Sequence, residues 1–303
     1  MQLHHITENT ETVMDIPENL SLILLNVGFT EFNANWNWKS VYSPFARIYY
    51  VKDGEARTRI NNKVYVLKPG NLYLTPPFTF HDDESDSYFS LYYIHFYEKH
   101  INRESIFDKY KFPVEIKGDT LDALLAERLL SINPGRHLQH VDPEIYDNMP
   151  TFSRYLAENK LTPFHTIVET QGILQQFISR YLKEAEIKSE FKDGRIKNCL
   201  KYIHQNIDKN ISVLQLADLS CITEDHLIRI FRKEVKTTPL KYINNKKIEK
   251  SQLLLLTTHL PIREIALELA IDNVSYFNRI FKQYTGKTPK EYREDNPGFS
   301  ETL

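Results

Sequence analysis

The stretch Tyr276 to Arg293, YFNRIFKQYTGKTPKEYR, is the one from which the rest of the chain can be read. Fifty residues earlier the chain says much the same, with Arg229-Ile230-Phe231 matching Arg279-Ile280-Phe281 and Arg232 matching Lys282. Thr238-Pro239 likewise matches Thr288-Pro289, and Tyr242 matches Tyr292. A recurrence at this period signals one supersecondary unit used twice. Further back, Leu216-Ala217 faces Ile265-Ala266 at a spacing of 49, so the second copy carries one extra residue in its turn. Each copy reads as a short helix, a turn and a longer helix with basic residues outside, which is a duplicated helix-turn-helix.

Helix signals are dense around these units. Ile196, Leu200, Tyr202 and Ile203 predict an amphipathic helix ending near Asn206. Ser212 with Gln215 is a capping-box pattern opening the next helix, and Thr223 caps a third that runs to about Val235. Leu227, Ile230 and Phe231 face inward there, leaving Asp225, Ile228, Arg229 and Arg232 outside. A fourth helix is predicted from Pro239 to about Leu256, followed by Ile262 to Leu269, Asn273 to Tyr284 and a short last helix from Thr288-Pro289. Residues 195–293 hold 18 Lys and Arg against 10 Asp and Glu, whereas the remainder holds 20 against 30. An acidic body joined to a basic region points to a polyanion as partner, a solvated basic face being the plainer alternative.

The first half reads differently. Short apolar and aromatic runs alternate with turn signals: Ala46 to Asp53-Gly54, Glu55 to Ile60, Asn61-Asn62, Lys63 to Leu67, Pro69-Gly70, Asn71 to Thr75, Pro76-Pro77, then Tyr88 to Tyr97. Evenly spaced strands of this kind predict an antiparallel barrel or jelly roll. Leu20 to Val27 adds a strand-like run, and Trp36 and Trp38, two apart, share one strand face. Residues 119–188 switch to a helical period. Leu121, Leu124, Leu125 and Leu129 line one face, and Asn133-Pro134-Gly135 ends that helix. Thr162 and Pro163 read as the cap and first residue of a longer helix towards Ile187, whose Ile173, Phe177, Ile178 and Tyr181 pack on their own domain or form a dimer seam.

The fold class expected is therefore α+β: an antiparallel barrel with a helical extension over 1–188, then an all-α domain with two helix-turn-helix units over 189–303. Ser189 to Gly194 is the polar linker. Two cysteines, Cys199 and Cys221, allow no disulfide framework, and Cys199 sits on an apolar helical face. Met1 to Thr10 is polar without a signal-peptide core, and apolar runs such as Leu253 to Leu256 are far short of a membrane span, so a cytoplasmic protein is expected.

Two resemblances sharpen these expectations. The run VYVLKPGNLYLTPPFTFH, ending at His81, is similar to the second half of a cupin barrel, in particular the sensor domain of AraC/XylS-type regulators. The C-terminal hundred residues resemble the AraC/XylS DNA-binding domain through Ile265-Ala266, Tyr276-Phe277, Arg279, Phe281-Lys282, Gly286, Thr288-Pro289 and Tyr292-Arg293. The chain departs from that pattern at Lys236, where the family often has glycine, at Lys247, where arginine is usual, and at Ala270-Ile271 in place of Gly-Phe. A left-handed turn at Ala270 costs about 1 kcal/mol relative to glycine.

An α-helix fits the major groove, and a fourth helix of about 27 Å would set two reading helices one DNA turn apart. Arg229 and Arg279 lie at equivalent outward positions where either can grip guanine, with Arg232 on the same outer face. The resemblance assigns Asp225 and Ile228 to the first reading surface, and Val274, Ser275, Tyr276 and Asn278 to the second. Lys233, Lys282 and Lys287 are placed as phosphate contacts. In the barrel, Trp36, Trp38, Tyr93 and His95 are candidate ligand contacts, and Lys39 resembles by spacing a basic ligand contact in a sugar-sensing member of the family. Filling of the barrel by these aromatics is the alternative.

The resemblance implies a double-stranded DNA partner, a small-molecule effector for which a sugar suits Trp stacking beside a cationic donor, a homodimer, and RNA polymerase if the output is activation. No cofactor, metal or membrane is expected. A cupin metalloenzyme gathers two or three histidines and a carboxylate, but Trp38 to Gly54, where its first half-motif would fall, has no histidine. A cupin-type enzyme fused to a DNA-binding domain and a constitutive binder with a structural barrel are the competing classes.

Overall fold

Eight strands, all but β7 laid down by apolar and aromatic runs, open the computed structural model, which describes residues 20–99, 104–146, 149–188 and 191–294. They are β1 (Ser21–Asn33), β2 (Trp36–Val41), β3 (Ala46–Gly54), β4 (Ala56–Ile60), β5 (Lys63–Leu67), β6 (Asn71–Thr75), β7 (His81–Ser85) and β8 (Tyr88–Lys99). A mixed segment follows, with α1 (Ile106–Lys109), β9 (Tyr110–Lys111) and β10 (Glu115–Lys117). Then come α2 (Thr120–Ile132), α3 (Pro143–Tyr146), α4 (Met149–Leu161), α5 (Phe164–Glu184) and β11 (Glu186–Ile187). The strands form a five-stranded sheet in the order β1-β8-β3-β6-β10, a four-stranded sheet β2-β7-β4-β5 and a small β11-β9 pair, with every pairing antiparallel.

The period-two alternation of β8 decides which core each residue joins. Phe89, Leu91 and Tyr93 turn into an aromatic interior between the two larger sheets, with Trp36, Tyr49 and Tyr73. Tyr92, Ile94 and Phe96 turn the other way, onto α2 and α5. Two hairpins close as their turn residues require. Asn61 and Asn62 both adopt positive φ, 51° and 64°. At Gly54, φ is 76° and a Cβ would meet the Tyr88 carbonyl oxygen at 2.1 Å, so no other residue fits.

Several expectations need correction. The apolar face of α2 is rotated: Asp122, Ala126 and Leu129 are buried, whereas Leu121 and Leu124 are exposed. Asp122 faces inward because it closes a capping box with Asp119 and takes an ion pair from Arg180 at 3.0 Å. Thr162 does not cap α5; its hydroxyl donates back to the Glu158 carbonyl, and α5 starts after Pro163 with no side-chain cap. Ile187 lies beyond α5, in the β11-β9 pair. The stripe Ile173, Phe177, Ile178 and Tyr181 is buried against the five-stranded sheet. Strand β7, HDDES, carries no apolar pattern and is specified by its neighbours β2 and β4. Met1 to Thr10 lies outside the described residues, as do the first two positions of the Ser189–Gly194 linker.

The C-terminal part is helical: α6 (Gly194–Gln205), α7 (Val213–Leu219), α8 (Glu224–Val235), α9 (Pro239–Thr257), α10 (Ile262–Glu268), α11 (Val274–Thr285) and α12 (Pro289–Glu294). It has two cores, one under α6, α7 and α8 and one under α10 and α11. Helix α9 serves both, giving Ile243 to the first and Ile248 and Leu255 to the second. Its 19 residues span roughly 28 Å at 1.5 Å per residue. Among the described residues no helix is long and apolar enough to cross a membrane.

Candidate nucleic-acid interface and sensor cavity

The two copies superpose in their hydrogen bonds as well as their letters. In the first turn the Ile222 amide donates to Ala217 and the Cys221 amide to Asp218; in the second, Ile271 donates to Ala266 and Ala270 to Leu267. Both turns pass through a left-handed residue, Cys221 at φ 52° and Ala270 at φ 48°. Up to here the spacing is 49, but the caps of the following helices, Thr223 and Asn273, stand 50 apart. The extra residue of the second copy is therefore Asp272, between the tight turn and the cap.

Each reading helix, α8 and α11, has 12 residues, an N-cap side chain on its third amide and a left-handed stop, Lys236 at φ 63° and Gly286 at φ 78°. Leu227 and Phe231 are buried in one, Phe277, Ile280 and Phe281 in the other. Asp225, Arg229, Arg232 and Lys233 of α8 are exposed, as are Ser275, Arg279, Lys282 and, just beyond α11, Lys287. Ile228, Val274, Tyr276 and Asn278 are only half-exposed, and the Asn278 amide oxygen is buried. The two arginines thus stand out at matched positions, while four of the ten residues assigned around them, Ile228, Val274, Tyr276 and Asn278, are partly covered. The lead turns differ: α8 opens with Glu224 and Asp225, whereas the first turn of α11 has no acidic residue.

Lys247, 5% exposed, fastens the copies to α9 by donating to the Lys209 carbonyl and to Leu269, the C-terminal carbonyl of α10. Burial pushes its ammonium down to about 8. The sequence marks Lys247 only as a departure from a usual arginine; its two carbonyl partners are legible only once both turns flank α9.

Between the sheets lies a small cavity of about 30 Å³ that opens to solvent on one side. Trp36, Trp38, Tyr93 and His95 line it, joined by Asp83 and by Tyr146 of α3. Lys39 does not line it; that side chain is exposed and pairs with Glu84 at 3.3 Å. Alternation explains the difference, since Lys39 follows Trp38 on β2 and faces the opposite side. Sequence reasoning missed Asp83, which the charged pattern of β7 hides, and Tyr146. Asp83 is raised by burial to about 7, and His81, 3.6 Å away, is lowered by burial to about 3. Burial, then the nearby Arg47 charge, also hold His95 well below the usual imidazole range. One Asp83 oxygen, the Trp38 indole nitrogen and both His95 ring nitrogens are buried without a protein partner. Among the described residues no three His, Cys, Asp or Glu side chains gather as a metal-ligand set.

Cavity and reading heads meet at α9. Leu256 of α9 joins Phe45, Tyr146, Phe152 and Tyr155 in one buried cluster, and the His95 ring lies 5.3 Å from Phe45 and 5.5 Å from Tyr146. Nearer the N-terminal end of α9, Lys246 bonds Asp108 of α1 at 2.6 Å and Glu249 at 2.7 Å. Burial alone would lower the Lys246 ammonium, but the two carboxylates outweigh it and hold it protonated.

Comparison with known proteins agrees with this geometry. Residues 28–138 match the profile of an AraC-like ligand binding domain, and residues 216–295 that of a helix-turn-helix domain. The arabinose operon regulatory protein of Salmonella typhimurium is 24% identical over 251 residues, 79% of this chain and 80% of its own. Its Escherichia coli namesake is 30% identical over 102 residues, 33% of this chain and 35% of its own length. Among solved structures, the C-terminal domain of the two-component response regulator yesN from Fusobacterium nucleatum is similar at 30% identity and a TM-score of 0.33, covering 34% of this chain and 100% of that one. The chain thus joins an AraC-like ligand-binding domain to a helix-turn-helix domain and is similar to AraC-type transcriptional regulators over both.

Proposed function

We propose that this regulator is a transcription activator working as a homodimer in the cytoplasm, with an effector-binding and dimerisation unit over 1–188 and a DNA-reading unit over 189–303. Arg229 and Arg279 read guanine edges in successive major grooves, while Lys233, Lys282 and Lys287 anchor phosphates. The observation that carries this is the matched exposure of the two arginines on helices with the same capping geometry and a left-handed stop in each. RNA polymerase is the further partner that activation requires. The exposed Leu121, Leu124, Phe164 and Val168 on α2 and α5 support a second copy as the dimer partner.

The effector is a small sugar or similar polyol. A hydroxyl both donates and accepts, which suits a cavity holding an unpartnered indole N–H, a carboxyl oxygen and imidazole nitrogens beside two Trp rings. Effector in the cavity acts on α9 through Tyr146 and Leu256, which share one buried cluster.

The test is a thermal-shift screen of sugars and polyols on the full chain, paired with binding to a random duplex pool at low and high salt. A sugar that raises the melting temperature, with binding that weakens steeply in salt, is expected. No shift with any sugar, while duplex binding persists, would leave the barrel as a structural element. Absence of duplex binding at low salt would overturn the reading of the helical unit.

A further inference from the structure

The two reading heads are not equally prepared. In the second, the Arg279 guanidinium rests over the Tyr276 ring, 5.2 Å from its centroid. The Tyr276 hydroxyl accepts a hydrogen bond from the Asn244 side-chain amide at 3.2 Å, and Asn244 belongs to α9, outside the reading helix. One side of α11 is held at its other end too, where the Tyr284 hydroxyl donates to the Lys241 carbonyl of α9 at 3.1 Å. A chain of contacts therefore runs from the rigid spacer helix through a phenol ring to the arginine that faces out. In the first head the residue at the Tyr276 position is His226, which has no phenolic hydroxyl to tether, and the lead turn carries Glu224 and Asp225.

We infer that Asn244 is a positioning residue for sequence readout: by fixing Tyr276 it holds the Arg279 guanidinium in one orientation and makes the second head the more discriminating reader. This rests on the proposed role of Arg279 at base edges. The physical reason is entropic. An arginine has four side-chain torsions to order when it grips a base, and one already laid on a fixed ring loses less freedom on binding. A cation over an aromatic face adds attraction of its own.

Duplexes would be selected by the full-length wild-type chain from a randomised pool. Affinity is then compared on the selected duplex and on duplexes scrambled in either half-site. Asn244→Ala and Tyr276→Phe, which keeps the ring and removes only the hydroxyl, should each lose about 2- to 10-fold in discrimination at one half-site, the equivalent of freezing one long side chain. The double variant should lose no more than either single one, because both cut the same tether. The salt slope should not move, as no phosphate contact is removed. Arg279→Ala is the reference, with a loss of about 5- to 150-fold at the same half-site. If Arg279→Ala leaves discrimination intact, the role proposed for that arginine fails. If Arg279→Ala loses it while Asn244→Ala and Tyr276→Phe keep it, the positioning role alone is overturned. Equal weakening of selected and scrambled duplexes by Asn244→Ala would likewise overturn it and make Asn244 a packing residue.

Discussion

Lys236 and Ala270 occupy backbone positions that a residue with a Cβ adopts at a cost. Lys236 stops α8 at φ 63°, where its counterpart Gly286 stops α11 at φ 78°, and Ala270 turns at φ 48°. Lys236→Gly and Ala270→Gly should each raise stability by about 0.5–1 kcal/mol, read as a higher urea midpoint. No gain at position 236 would mean that the bond from the Lys236 ammonium to the Lys233 carbonyl, at 2.8 Å, offsets the backbone strain. Asp83 and His81 present a second residue-scale case. Burial raises the first from 3.8 to about 7 and lowers the second from 6.5 to about 3. As pH falls from about 6.5 to 4, the folded protein binds the Asp83 proton before the unfolded chain does, which adds stability. Over the same window the unfolded chain takes up the His81 proton that the fold refuses, which removes it. Asp83→Asn abolishes only the gain, so the variant should lose more stability than the wild type between pH 7 and 4. Parallel urea midpoints across that range would show Asp83 ionised in the folded barrel.

At the scale of elements, α9 is both spacer and shared core. It buries Ile243 under one head and Ile248 and Leu255 under the other, while Lys247 satisfies a carbonyl from each. The reading helices it carries are amphipathic, their apolar side buried and their cations outward. Lys282 sits on the exposed side of α11 within its last turn, placed to meet phosphate. Lys282→Ala should weaken binding to all duplexes alike and lower the slope of log K against log salt by about 1. A slope unchanged in a salt titration would remove Lys282 from the phosphate contacts.

For the molecule as a whole, the question is what holds the reading unit on the barrel. Lys246 and Leu256 anchor α9 at two points, one ionic and one apolar. Lys246→Met leaves the half-buried Asp108 and Glu249 close together without the cation between them, which costs the docked arrangement stability. The seam is where that cost is relieved, because opening returns the carboxylates to water. Small-angle scattering should show a larger radius of gyration for Lys246→Met than for the wild type, with Asp108→Asn in the same direction. Identical scattering curves would show that Leu256 and its aromatic neighbours suffice to dock the two parts.

Local signals carried most of the architecture by themselves. The fifty-residue repeat, the caps Ser212 and Thr223 and the strand run of β8 are short-range patterns, and short-range backbone physics reads them without help from the rest of the chain. What depends on distant partners was not legible there. The charged strand β7 exists because β2 and β4 flank it, and Asp83 faces the cavity for that reason. Lys39 turns away from the cavity by one step of pleat. Leu121 and Leu124 lost the buried face of α2 to Asp122, whose bond to Arg180 is possible only with α5 alongside. Periodicity says that a face is apolar; only the packed neighbours decide which side chain is shielded from water, because shielding belongs to surfaces that meet across the fold.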